Sequence, residues 1–173
     1  PCALGLATPI SIMVATGRAA SVGVQFRDAE AIETLRRIDT LIVDKTGTLT
    51  AGKPAFRDAA ALPGFSTDDV LRLAASLDQG SEHPLAEAIV AEAIRRGLAL
   101  EAAVDFESAS GIGVRGTVAG RPLVLGNTAL MTEAGVDIGA LSASAERLRA
   151  NGASVMFLAV DGTPAGLIAV ADP

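Results

Sequence analysis

The chain has 173 residues, half of them hydrophobic but only 3% aromatic, with no Trp or Tyr, so any core must be built from Ala, Val, Leu and Ile. A net charge of −6 with a pI near 4.7 excludes a nucleic-acid surface, which needs a basic patch. The lone Cys2 cannot form an internal disulfide, the pattern of a reducing compartment, and no basic region precedes the first apolar stretch as a secretory signal requires.

Residues 1–17 carry no charge, and the first cations are Arg18 and Arg27. That is shorter than the roughly 20 apolar residues of a bilayer span, so the stretch is either a buried core helix or the latter part of a truncated span with a cytoplasmic flank. Pro1 and Pro9 each remove a helix hydrogen bond, which a membrane helix tolerates where the freed carbonyl is buried or binds something. Cys2 beside such a break is either a small apolar filler or, as a thiolate, a soft ligand suited to Cu(I) and tolerable for Zn(II).

Residues 22–27 are expected to form a short strand, and Asp28 to cap a helix reaching about Arg37, with Ala29, Ile32 and Leu35 on its apolar face. Leu41-Ile42-Val43 is a β-branched apolar run ending on Asp44, expected as a buried parallel strand that delivers the carboxylate to the edge where α/β sheets bind ligands. Asp44 can open an Asx-type turn, or it can accept a phosphoryl group if a cation offsets the charge. Lys45 would supply that charge, while Thr46 and Thr48 would supply hydroxyls around the phosphoryl oxygens. Magnesium suits a site of few carboxylates and phosphate oxygens, with Asp44 and Thr46 as its protein ligands. Thr50-Ala51-Gly52-Lys53-Pro54 has the punctuation of a hinge.

A second domain is expected from about Ala55. Ser66-Thr67-Asp68-Asp69 has capping-box form ahead of Val70, Leu73, Ala74 and Leu77, and a second helix runs over 84–96 until Gly97. Strands at 112–118 and 123–125 flank Gly120; a third helix with Leu141, Ala145 and Leu148 closes at Gly152; strands at 155–160 and 165–170 flank Asp161-Gly162. Hairpins with helices between them make an α+β domain around an antiparallel sheet. His83, the sole histidine, precedes Pro84 at a helix start. It either sits at the helix entrance or presents its ring to a nucleotide base. Gly111 and Gly113 are turn glycines or points of close backbone approach to a ligand.

Three strings carry a resemblance. Asp44-Lys45-Thr46-Gly47-Thr48-Leu49-Thr50 matches the phosphorylation signature of P-type ATPases, the ion pumps that pass through an aspartyl-phosphate. Ser81-Glu82-His83-Pro84-Leu85-Ala86 resembles the nucleotide-binding motif of the heavy-metal pumps in that family. Pro1-Cys2-Ala3-Leu4-Gly5-Leu6-Ala7-Thr8-Pro9 resembles their metal-binding transmembrane helix, of the Cu(I)/Ag(I) branch. The resemblance implies an α/β fold: residues 1–21 end a transmembrane helix and stalk, 22–54 begin a doubly wound, haloacid-dehalogenase-like phosphorylation domain, 55–170 form the inserted nucleotide-binding domain, and 171–173 are the return hinge. It implies ATP contacts at Asp78, Glu82, His83, Gly111, Gly113, Gly126 and Asn127, and the transported metal at Cys2. Asp78 stands where the family often has Glu, one methylene longer. No Gly-Asp-Gly with a following Asp appears, so the second half of the magnesium site is expected elsewhere. The implied parent is a membrane-integral, ATP-driven Cu(I)/Ag(I) export pump with cytoplasmic catalytic domains, with a soluble metal chaperone as a further partner. By itself the segment is expected to bind nucleotide without turning it over. The alternatives are a Zn(II)/Cd(II) pump, a haloacid-dehalogenase-type phosphatase, and a non-catalytic nucleotide-binding module.

Overall fold

The computed structural model describes residues 2–109 and 111–172, with the side chains of residues 2–4, 45 and 46 left out. Pro1, Pro173 and the side chains of Cys2, Lys45 and Thr46, on which several expectations rest, therefore lie outside the described residues. The chain divides into two compact units, Pro1–Val43 and Asp44–Pro173.

The first unit holds α1 (Cys2–Ser21), with Pro9 inside it, and α2 (Ala29–Leu35). Among the described residues no helix is long and apolar enough to cross a membrane. Asp28 caps α2 as its position predicts, its Oδ1 accepting from the Ala31 N–H at 2.8 Å, yet α2 buries none of its side chains. The strand expected at 22–27 does not form. Its backbone closes α1 instead: Val22 and Val24 donate to the Ala19 carbonyl and Gly23, at φ 83°, donates to that of Ala20. The strand expected at 41–43 is likewise absent, and Leu41 and Ile42 stand 69% and 94% exposed. A parallel strand exists only through neighbours that take up its backbone groups, and none of the described strands pairs with this one.

The second unit is built on a six-stranded antiparallel sheet in the order β1-β6-β5-β4-β3-β2. Its strands are β1 (Ala55–Ala61), β2 (Ala103–Ala109), β3 (Gly113–Val118), β4 (Arg121–Gly126), β5 (Ser154–Val160) and β6 (Thr163–Ala171). The α+β expectation for this domain therefore holds, and the two tight hairpins fall at Gly120 and at Asp161-Gly162. Helices α3 (Thr67–Asp78) and α4 (Pro84–Arg95) cover one face, and α5 (Thr128–Glu133) and α6 (Gly139–Ala150) the other. The period of two in the central strands divides their side chains between two cores. Leu158, Val160, Ile168 and Val170 face α3 and α4, while Val155, Phe157, Leu167 and Ala169 face α5 and α6. Each fully buried Leu or Ile stabilises by about 2–3 kcal/mol.

Helix α3 begins with the capping box its sequence predicts. Ser66 Oγ accepts from the Asp69 N–H at 3.0 Å, and Asp69 Oδ2 accepts from the Ser66 N–H at 2.9 Å. The chain enters the sheet at β1 and leaves it at β6, and these are neighbours, with Ala55 opposite Ala171. Just outside them the Thr50 hydroxyl and the Lys53 N–H both donate to the Asp172 carboxylate.

Candidate functional site

The end of α3, the start of α4 and the loop ends of β2 to β5 enclose a cavity of about 410 Å³. Six of the residues singled out in the sequence line it: Asp78, His83, Gly111, Gly113, Gly126 and Asn127. Glu82, singled out with them, is exposed and does not line it. The other walls are largely apolar, from Leu85, Ile112, Val114, Leu125 and Met156. No Lys or Arg is among the lining residues described.

Each polar group is set by local structure. Pro84 occupies the first turn of α4, where its missing N–H costs nothing, and His83 is the cap: its Nδ1 accepts from the Leu85 N–H at 3.2 Å. A nitrogen that accepts cannot carry the proton, so neutral His83 holds it on Nε2 and offers that atom to a ligand as a donor. Asn127 caps α5 in the same way. Its Oδ1 accepts from the Leu130 N–H at 3.1 Å while its Nδ2 donates to the Gly111 carbonyl at 3.2 Å, so this amide ties the glycine loop to the helix.

The glycines divide into two kinds. Gly113 and Gly126 pair across β3 and β4, where a Cβ on Gly113 would lie 2.3 Å from the Leu125 carbonyl oxygen and one on Gly126 2.2 Å from that of Ile112. These two are small because backbone packs on backbone. Gly111 has φ 78° with nothing within 4 Å of its Cβ position, so its conformation requires glycine while its space stays open at the cavity.

Asp78, the last residue of α3, is 5% exposed, and its Oδ2 has no hydrogen-bond partner among the described residues. Burial in this apolar wall pushes its carboxyl up to about 7. A buried carboxyl without a partner is costly to keep, and such groups in a cavity mark a binding site.

Asp44 presents different surroundings. It is exposed, and the residues after it, Lys45–Leu49, form one π-helical turn with Gly47 at φ 77°. Thr48 is exposed too. The Gly47 N–H donates to Thr50 Oγ1 at 3.2 Å, and Thr50 in turn donates to Asp172, so the loop is tethered to the chain leaving the sheet. Among the described residues no three His, Cys, Asp or Glu side chains gather where they could hold a metal ion. The loop thus fits Mg²⁺ only in part: it would offer the Asp44 carboxylate, and Mg²⁺ is an ion that suits sites of few protein carboxylates.

Sequence reasoning missed Ser81 and the β5 contributors Ser154, Val155 and Met156. Ser81 stood inside a string already singled out. The β5 residues lie more than forty positions past Ile112, and only the strand order brings them to the cavity.

The family model for haloacid dehalogenase-like hydrolases matches residues 38–173, and the chain belongs to that family. Within it, the chain is similar to pumps. It is 55% identical over 172 residues to the copper-transporting P-type ATPase of Rhizobium leguminosarum bv. viciae, covering 99% of this chain and 20% of that protein. It is 48% identical over 174 residues to the silver exporting P-type ATPase of Salmonella typhimurium, covering 100% of this chain and 21% of that one. Among solved structures, a zinc-transporting PIB-type ATPase in its E2.Pi state aligns with a TM-score of 0.77 at 32% identity, covering 100% of this chain and 28% of that chain. The chain spans about a fifth of the length of the curated relatives it matches.

Proposed function

We propose that the chain is the ATP-binding and phosphorylation segment of a membrane-bound P-type ATPase that exports Cu(I) or Ag(I). The observation that carries the nucleotide half is the cavity, which gathers Asp78, His83, Gly111, Gly113, Gly126 and Asn127 from four separate stretches of chain. Its apolar walls suit a flat purine. The absence of Lys and Arg among its described lining residues leaves the charged phosphates outside, free to extend toward a cationic loop. The phosphorylation half rests on the Asp44–Thr50 string. In this reading residues 1–21 are the end of a metal-binding helix and stalk, 22–54 the start of the phosphorylation domain, 55–170 the nucleotide-binding domain and 171–173 the return hinge.

The roles follow from chemistry. Asp44 attacks the γ-phosphorus in line, the bond to the ADP oxygen breaks, and an acyl-phosphate remains. Lys45, Thr46 and Thr48 stabilise the phosphoryl oxygens, and Asp44 and Thr46 would hold Mg²⁺, whose charge neutralises those oxygens. Thr46 stands where a soluble phosphatase of this family has its acid/base Asp, which supports a lasting acyl-phosphate over rapid hydrolysis. His83 positions the base, with Glu82 at the entrance. Cys2 is the thiolate for the metal, a soluble metal chaperone its donor, and the nucleotide-binding and phosphorylation domains lie on the cytoplasmic side.

The higher identity to copper and silver pumps than to the zinc-transporting structure supports the monovalent cargo. Zn(II) is the second reading, supported by that structure's match over the whole chain. The test is acid-stable labelling of the full-length protein by γ-labelled ATP. Labelling that requires Cu(I) or Ag(I), and falls to background in Asp44→Asn, is the expected result. Zinc-dependent labelling would reverse the cargo, and no labelling with any metal would leave only the binding module.

A further inference from the structure

The cavity holds a group that the proposed phosphoryl transfer does not use. Asp78 is buried at the end of α3 with an unpartnered Oδ2, and it borders two hollows: the nucleotide cavity and a shallower groove along α4. The charged and titratable groups facing it are few. His83 at the start of α4 is the other titratable side chain described in the cavity lining, and Glu87 of α4 lines the groove. Strands β2 to β5 contribute to the cavity only small, apolar or uncharged polar residues such as Ser108, Gly113 and Met156. Strands β1 and β6, which also pack on α3, contribute to neither hollow. No cation described there offsets a negative charge on Asp78.

A purine with an exocyclic amino group offers, side by side on one edge, an N–H donor and a ring-nitrogen acceptor. An ionised carboxylate can take the donor but turns a second lone pair toward the ring nitrogen. A neutral carboxylic acid matches both, its carbonyl accepting and its hydroxyl donating. We propose that Asp78 reads the base as a neutral acid, accepting from the adenine amino group and donating to the adjacent ring nitrogen, so that nucleotide binding takes up one proton from solvent. This rests on the nucleotide reading of the cavity. Burial already holds the carboxyl near 7, so the proton is available close to neutral pH and is bound more firmly once the purine excludes water.

Adenosine is the probe, since it lacks phosphates whose own titration would intrude. Its affinity for the purified chain is measured by calorimetry across pH, in buffers of different ionisation enthalpy. With the carboxyl at about 7 in the free protein, binding weakens about 30-fold between about pH 6 and pH 8.5 and is accompanied by net proton uptake at the higher pH. In Asp78→Asn, whose amide presents an acceptor and a donor in fixed form, the affinity becomes independent of pH and the uptake disappears. Wild-type binding that does not vary with pH overturns proton-coupled reading while leaving the nucleotide site standing. A pH dependence that survives in Asp78→Asn assigns the proton to His83 and overturns it as well. No adenosine binding at any pH overturns the cavity's assignment and this inference together.

Discussion

Two stretches of this chain follow one sequence pattern and meet opposite fates. Leu41-Ile42-Val43 runs into Asp44, and Ser76-Leu77 runs into Asp78, each an apolar or small segment ending on a carboxylate. Ile42 is 94% exposed with Asp44 open beside it, whereas Leu77 is wholly buried and Asp78 nearly so. What differs is the supply of partners. Helix α3 lies on a sheet whose face was waiting for an apolar stripe, while none of the described strands pairs with residues 41–43. The same residue type thus becomes a solvated carboxylate in one place and a near-neutral acid in the other, because the second has lost its water without gaining a cation.

The comparison can be broken by substitutions matched across the two regions. The largest effect is expected from Leu71→Ala in α3, a wholly buried member of the core under the sheet. It costs about 3 kcal/mol of unfolding free energy in urea titration, and a loss below ~1 kcal/mol would mean that the core collapses around the cavity. Next comes Asp78→Asn, read in the absence of any ligand. An Asp raised from 3.8 to about 7 holds its proton in the folded chain over a range where the unfolded chain has released it. The contribution of Asp78 to stability is therefore greatest below about pH 4, falls as pH rises through about 7, and is level beyond it. The variant flattens that profile and is more stable than wild type by about 2 kcal/mol near pH 8. Equal pH profiles in the two proteins would show that the carboxyl is solvated in the free state. Smallest is Ile42→Ala, where an exposed side chain leaves little to lose and the change stays within about 0.5 kcal/mol. A loss as large as that of Leu71→Ala would mean that residues 41–43 are covered in solution.

Much of the sheet domain was legible in sequence, and for identifiable reasons. The Ser66 and Asp69 box, Pro84 at the start of α4 and the two hairpin turns are local signals whose hydrogen bonds close within a few residues. Strands β1 and β2 were missed because each carries a bulge. The register slips between Phe56 and Asp58 in one and between Val104 and Glu107 in the other, which destroys the alternation a reader looks for. Helix α5 spans only Thr128–Glu133, too few residues to display a helical period. In the site, His83 was found inside a string that resembles a family, and Asp78, Gly111 and Asn127 through what that resemblance implies. What no string could supply was that Gly113 and Gly126 are small for each other's sake, and that β5 closes the cavity.

The adjacency of β1 and β6 has a mechanical consequence. A domain whose entry and exit strands run side by side has both of its chain connections at one edge, here gathered by Asp172 holding both Thr50 and the Lys53 amide. Such a body can be spliced into a loop of another fold at little cost in chain closure, since the gap it must leave is one strand spacing wide.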